Sequence, residues 1–471
     1  MESPVTGEVA GRIQSPEGNR PAEVWTSRLG FLYATAAAAI GLGSLWRFPY
    51  VAGANGGGAF VLLYILFVLL LCIPLMVAEM AMGRRGHGSV VASVRRLIAA
   101  EGASRGWMAV GWFSLAIPFF GMSYYSVVAG WGVDYAREAV AQGFAGMDAS
   151  AAKGLFERLI GSPLRQVLFQ SGFILAVAVV VALGVQKGIE MISRVKMIVL
   201  SVILIGLVVY NAMQIGLGPA VDFLLRPDFS MLTGASVLTA LGQALFSTAI
   251  GAGVLMTYSA YLPRGVSIPS SAGIVSVSVI VVALLAGLAI FPIVLASGLK
   301  PSEGPNLVFV TLPIAFGSMP GGRIISIFFF GLIALGAFTT CVGMLEPVVA
   351  WLIEATGKRR APIAFVTATA VCLVGVPSSL SFNLLKSVHP LGMIPIFHGK
   401  TMFDLLDFGI AELLLPINAL LIALFCGWAL RRSLTPRQTD LSPMAHRIWH
   451  VLTGVFAPIA IVALMIDLLS H

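Results

Sequence analysis

The chain has 471 residues, 58% of them hydrophobic and only 11% charged, and a formal net charge of +8. So little charge cannot cover water-soluble domains of this size, which leaves a protein that crosses the bilayer many times. A basic excess on such a chain reflects topology, and without a basic stripe interleaved with aromatics it gives no sign of a nucleic-acid partner.

In chain order, residues 1–24 are polar, carry Pro4, Pro16 and Pro21, and lack the apolar core of a signal peptide. They are expected to form a cytosolic tail whose Arg12 or Arg20, or Arg28 beyond it, contacts anionic lipid or closes an inner gate. Eleven apolar runs follow, near 28–52, 59–82, 107–136, 166–183, 193–217, 236–261, 270–298, 323–356, 361–382, 403–430 and 446–469. Each is long enough for a hydrocarbon core of about 30 Å. Cys72, Cys341, Cys372 and Cys426 lie inside these runs and read as small core residues rather than a disulfide framework.

Loop charges set the orientation. With the amino terminus inside, the inner loops hold Arg84, Arg85, Arg95, Arg96 and Arg105, then Lys187, Arg194 and Lys196, then Arg264, then Lys358, Arg359 and Arg360, then Arg431, Arg432 and Arg437. Outer-loop cations such as Lys153, Arg158 and Arg165 are diluted by Glu138, Asp148, Glu157, Asp222, Asp228 and Glu303. The expected topology is amino terminus in and carboxyl terminus out, in a bacterial plasma membrane.

Two runs are interrupted in the same way. Ala39-Ile40-Gly41-Leu42-Gly43 breaks the first, and Ala249-Ile250-Gly251-Ala252-Gly253 breaks the sixth. The spans divide as five, five and one, with a break opening each group of five, so the second group enters the membrane from the opposite side. That pattern points to inverted repeats, 25–217 and 218–430, with 431–471 as a loop and an added helix, and to a site where the two breaks meet. Unwound backbone exposes carbonyls that suit a cation or an ammonium group, and the half-helix beyond it offers free N–H groups to a carboxylate. Together the breaks make a pocket for a small zwitterion such as an amino acid.

Several stretches in this order, covering about residues 25–430, resemble the neurotransmitter:sodium symporter family and its bacterial leucine-transporter-like members. They are Ser27-Arg28-Leu29-Gly30-Phe31, Gly41-Leu42-Gly43, Trp46-Arg47-Phe48-Pro49-Tyr50, Asn55-Gly56-Gly57-Gly58-Ala59-Phe60 and Glu79-Met80-Ala81-Met82-Gly83-Arg84. Tyr124-Tyr125, Ala286 to Pro292, Gly304-Pro305 to Gly322, Glu346-Pro347 and Asp404-Leu405-Leu406-Asp407 complete the set. The resemblance implies an all-α membrane protein of the leucine-transporter fold that imports an amino acid with sodium by alternating access.

By position, the resemblance gives the substrate amine to the carbonyls of Ala39, Phe246 and Ser247, and the carboxylate to the N–H groups of Leu42 and Gly43 and the Tyr125 hydroxyl. Gly121, Phe246, Ala249, Ala252, Thr340 and Met344 are placed around the side chain, and the small Gly121 and Ala252, where the leucine transporter has larger residues, predict a bulky apolar or aromatic substrate. The second sodium site maps to Ala37, Ile40, Gly336, Thr339 and Thr340. An outer gate maps to Arg47 and Asp407, and an inner one to Trp25, Tyr261, Glu346 and Glu354, with Arg20 near the position of the family's gating arginine.

The chain also departs from the family. In the first sodium site, beside Ala39, an asparagine is replaced by Ser44, a threonine by Ser247, and an asparagine or aspartate by Val279, which offers no ligand, although Ser278 is adjacent. One Na⁺, in the second site, is therefore expected. Chloride is not expected, because Gln243 is kept while Val279, Val282 and Ala283 stand where its partners would be. Two alternatives stay open: proton coupling through Glu79, and a sensor of the same fold that binds an amino acid without moving it. An enzyme finds no support, since no zinc motif or Ser/His pair lies on facing spans. Oligomeric state is not encoded in any of these features.

Overall fold

A computed structural model describes residues 23–263, 265–298, 307–430 and 432–470. Residues 1–22, with Arg12 and Arg20, and also Arg264, Glu303, Gly304, Pro305 and Arg431 lie outside the described residues. Among the described residues every regular element is helical. Nine helices are long and apolar enough to cross a membrane: Gly58–Gly86, Arg105–Ala141, Pro163–Ala182, Val185–Gln214, Ile268–Ala296, Gly322–Thr356, Arg360–Leu380, Met402–Ala429 and Pro443–Leu469. A tenth span is the pair Arg28–Ala39 and Gly43–Ala54, bent by 51°. The remaining run forms a second interrupted pair, Gly234–Thr248 and Val254–Ala260.

The first span starts where Ser27 Oγ accepts the Gly30 N–H at 3.0 Å, which caps the helix. It stops at Ile40, whose backbone is extended (φ −77°, ψ 95°). Gly41 follows because two side chains press on it. A Cβ there would lie 2.3 Å from Thr340 Oγ1 and 2.5 Å from the Tyr125 hydroxyl oxygen. The second break turns by left-handed residues, Ala249 (φ 53°), Gly251 (φ 87°) and Gly253 (φ 70°). Two of these are glycines, which take that conformation freely, whereas Ala249 bears a cost of roughly 1–2 kcal/mol.

Broken helices leave polar backbone groups inside an apolar bundle, and other spans satisfy them. Gly251 N–H donates to Glu79 Oε1 at 2.5 Å, and its carbonyl accepts from Asn418 Nδ2 at 2.6 Å. Asn418 also donates to Ser114 Oγ at 2.9 Å, so three different spans converge on the second break. At the first break, Gln243 Nε2 donates to the Gly43 carbonyl at 2.8 Å. Around this core, Val202, Ile205, Ile459 and Ile466 stand exposed on the perimeter, where lipid would cover them.

The bond from Glu79 is a brace for the second break. Replacing Glu79 by Ala leaves a buried N–H unpaired, at a cost of about 1–3 kcal/mol. The melting temperature of Glu79→Ala should fall, while Glu79→Gln, which keeps an acceptor oxygen, should stay near wild type.

Candidate functional site

The two breaks touch. A Cβ on Gly43 would lie 3.1 Å from the Phe246 ring and 3.2 Å from Ser247 Cα, so only a glycine lets the backbones meet. Beside this contact Leu42 N–H donates to the Tyr125 hydroxyl at 2.7 Å. The structure thus joins two of the groups expected to hold a carboxylate. Tyr125 is buried on the third span, and its hydroxyl also bonds the Thr340 side chain. Thr340 Oγ1 donates to the Ala38 carbonyl at 3.0 Å and to Gly336 at 3.4 Å, which draws the eighth span against the first break.

The expected side-chain pocket is brought together in part. A Cβ on Gly121 would meet Ile410 Cγ2 at 3.5 Å and Met344 Cε at 3.9 Å, which are ordinary contacts. Gly121 therefore faces Met344, as expected, and also Ile410, which the sequence reading did not single out. Phe246 lies under the Arg47 guanidinium, whose carbon is 4.5 Å from the ring centre. Ala252 is buried and Ala249 half-buried at the second break.

The second sodium site differs from the expectation. Lys196 is not a loop residue: it is fully buried within the span Val185–Gln214. Its ammonium donates to the Ala37 carbonyl at 2.7 Å and to the Ile40 carbonyl. Thr339 Oγ1 donates to the same Ala37 oxygen at 2.9 Å. The oxygens expected to cradle Na⁺ do converge, but a lysine ammonium is already among them. The signal was available in the sequence, as a cation inside the start of an apolar run, and was read only as a loop charge.

In the first sodium site Ser247 Oγ lies 3.0 Å from the Tyr64 hydroxyl and donates to Ala244 O at 3.3 Å. Ser44 Oγ is buried with no hydrogen-bond partner. Val279 is the buried residue of its helix turn, while half-buried Ser278 bonds its own backbone at Ile274, 2.8 Å away, and brings no oxygen inward.

The residues expected to form the gates pair differently from the expectation. Arg47 forms its ion pair with Glu412 and not with Asp407. Asp407 instead bonds the Tyr124 hydroxyl. Both acids lie on the tenth span, and Glu412 is the one placed a turn deeper, beside Arg47. At the opposite end Trp25 Nε1 donates to Tyr258 O at 2.8 Å, Trp25 N–H to Tyr261 O at 3.2 Å, and the Tyr261 hydroxyl to Glu346 Oε1 at 3.1 Å. The arginine that completes this end is Arg360, which ion-pairs with Glu346 and, at 2.9 Å, with Glu23. Glu354 stands apart, accepting from Ser89 N–H at 2.8 Å and pairing with Arg96 at 3.3 Å. Both ends are closed around the breaks.

The comparisons with known proteins bear on the family and the fold. The model of the sodium:neurotransmitter symporter family matches residues 22–149 and 163–465. The chain belongs to that family. An uncharacterised sodium-dependent transporter, YhdH, of Bacillus subtilis is 37% identical over 95% of this chain and 97% of its own length. Another from Haemophilus influenzae is 32% identical over 95% and 98%. A crystal structure of MhsT in complex with L-phenylalanine superposes with a TM-score of 0.85 at 36% identity, covering 94% of this chain and 99% of that one. The protein therefore has the leucine-transporter fold of a sodium-dependent symporter.

Tyr125 gives the direct test of the carboxylate end. Tyr125→Phe removes one hydrogen bond to a charged group, worth about 1.5–3 kcal/mol, so amino-acid affinity should fall roughly 10- to 150-fold, and because the buried Leu42 N–H loses its acceptor the melting temperature should fall as well. Equilibrium binding of radiolabelled amino acid measures it.

Proposed function

We propose that the protein is a secondary transporter that brings a bulky hydrophobic or aromatic amino acid into the cell by alternating access, accompanied by one Na⁺. The observation that carries this reading is the meeting of the two breaks, with the Leu42 N–H bonded to the Tyr125 hydroxyl beside the start of the half-helix Gly43–Ala54. Such a meeting suits a carboxylate at the helix start and, through the carbonyls of Ala39, Phe246 and Ser247, an amine at the other end. MhsT, of the same fold, carries L-phenylalanine in its complex. The small residues Gly121, Ala249 and Ala252 support room for a comparable side chain here, with Met344 and Ile410 adapting around it.

The single Na⁺ fits the first sodium site better than the second. Ser44 offers a buried oxygen without a partner there. The lysine ammonium stands in the other cradle. Chloride has no place in this reading. Gln243 directs its amide N–H₂ to the Gly43 carbonyl, and Val279, Val282 and Ala283 are all buried apolar neighbours. The amino terminus lies on the cytoplasmic side and the carboxyl terminus outside, which makes the Trp25–Arg360 end the inner gate and the Arg47–Glu412 end the outer one. The halves 25–217 and 218–430 form the inverted repeat that rocks between them.

A thermal-shift screen of amino acids in Na⁺ against K⁺ tests the reading. At a ligand concentration 100 times the dissociation constant, a ligand stabilises by roughly 2.7 kcal/mol. Aromatic and large aliphatic amino acids should raise the melting temperature, more in Na⁺, and should accumulate in proteoliposomes against a gradient. Binding without accumulation would make the protein a sensor. Gly121→Leu should fill the pocket and weaken binding of phenylalanine-sized ligands by about tenfold or more, roughly 1.4 kcal/mol, while sparing alanine.

A further inference from the structure

A cation is built into this fold at the place where a second ion would otherwise bind. Lys196 arises from the fifth span, which packs against the first half-helix and against the seventh and eighth spans. Its side chain is fully buried, and its ammonium reaches the carbonyls of Ala37 and Ile40, which the end of the half-helix at Ala39 leaves open. Among the described residues no carboxylate lies within ion-pairing distance of it, so carbonyl oxygens alone offset its burial. Carbonyl oxygens of a helix end are also what a monovalent metal ion requires, and two like charges cannot share one such cradle.

We propose that the Lys196 ammonium is a tethered replacement for a second sodium ion, so that this cradle is filled by the protein's own cation and takes no Na⁺. The ammonium pins the fifth span to the first break and holds the Ala37–Ile40 backbone in the shape that presents Leu42 and Gly43 to the substrate. Glu346 on the eighth span and Glu190 on the fifth are engaged elsewhere, with Arg360 and Tyr261 and with Thr26 and Arg194 respectively.

The inference rests on the transporter reading above, and the experiment separates the two. The full-length wild-type protein and Lys196→Ala and Lys196→Met variants are purified, and bound radioactive sodium is counted with and without L-phenylalanine. In the wild type no more than one Na⁺ should bind. Lys196→Ala, which opens the cradle, should bind one additional Na⁺. Lys196→Met, which fills the space without charge, should gain none. Two Na⁺ in the wild type, or an unchanged sodium count in Lys196→Ala, would overturn the proposal. If Lys196→Ala does not fold, the wild-type sodium count still decides. If phenylalanine fails to bind while the sodium count behaves as stated, the substrate reading fails and the role of Lys196 stands.

Discussion

The structure depends on satisfying unwound backbone inside an apolar bundle. In a medium without water each unpaired carbonyl or N–H costs several kcal/mol, so a helix can stop in mid-membrane only where other spans supply donors and acceptors. Here the first break is held by Lys196, Thr339, Thr340, Tyr125 and Gln243, and the second by Glu79 and Asn418. These polar side chains come from six different spans. They fix where the breaks lie, how close they approach, and which of their groups remain for a ligand.

The same constraint explains why the pocket and the gates form one system. The first half-helix begins beside Trp25, which bonds to Tyr258 and Tyr261 just beyond the second break. Its continuation carries Arg47, which pairs with Glu412 and covers Phe246 of the second break. A ligand that tightens the contact between the breaks therefore acts on both ends. The Arg360–Glu346 pair is largely buried, and such a pair is costly to separate.

Much of this was legible in the chain itself. Composition, eleven apolar runs and two matched glycine-rich interruptions were enough for a broken-helix transporter, because lipid imposes length and backbone satisfaction directly on the sequence. Tyr125, Thr339 and Thr340, singled out by the resemblance to the family, do lie beside the first break. Pairings between distant spans were less legible. Arg47 had two acids on one helix to choose from, Asp407 and Glu412, and sequence spacing does not say which turn faces it. Arg360 looked like one of three adjacent loop cations, Lys358, Arg359 and Arg360, until the fold turned it inward to Glu346.

Lys196 marks the boundary most clearly. By itself the sequence determined that the first span must break, that the break exposes carbonyls, and that those carbonyls call for positive charge, because these follow from local backbone chemistry in an apolar solvent. Only the tertiary structure decided which positive charge answers. The lysine lies 156 residues from Ile40 along the chain, and it reaches that carbonyl because the fifth span packs against the first with Lys196 facing inward. The face a helical residue presents depends on how the helices pack together, which no local pattern in a uniformly apolar run encodes.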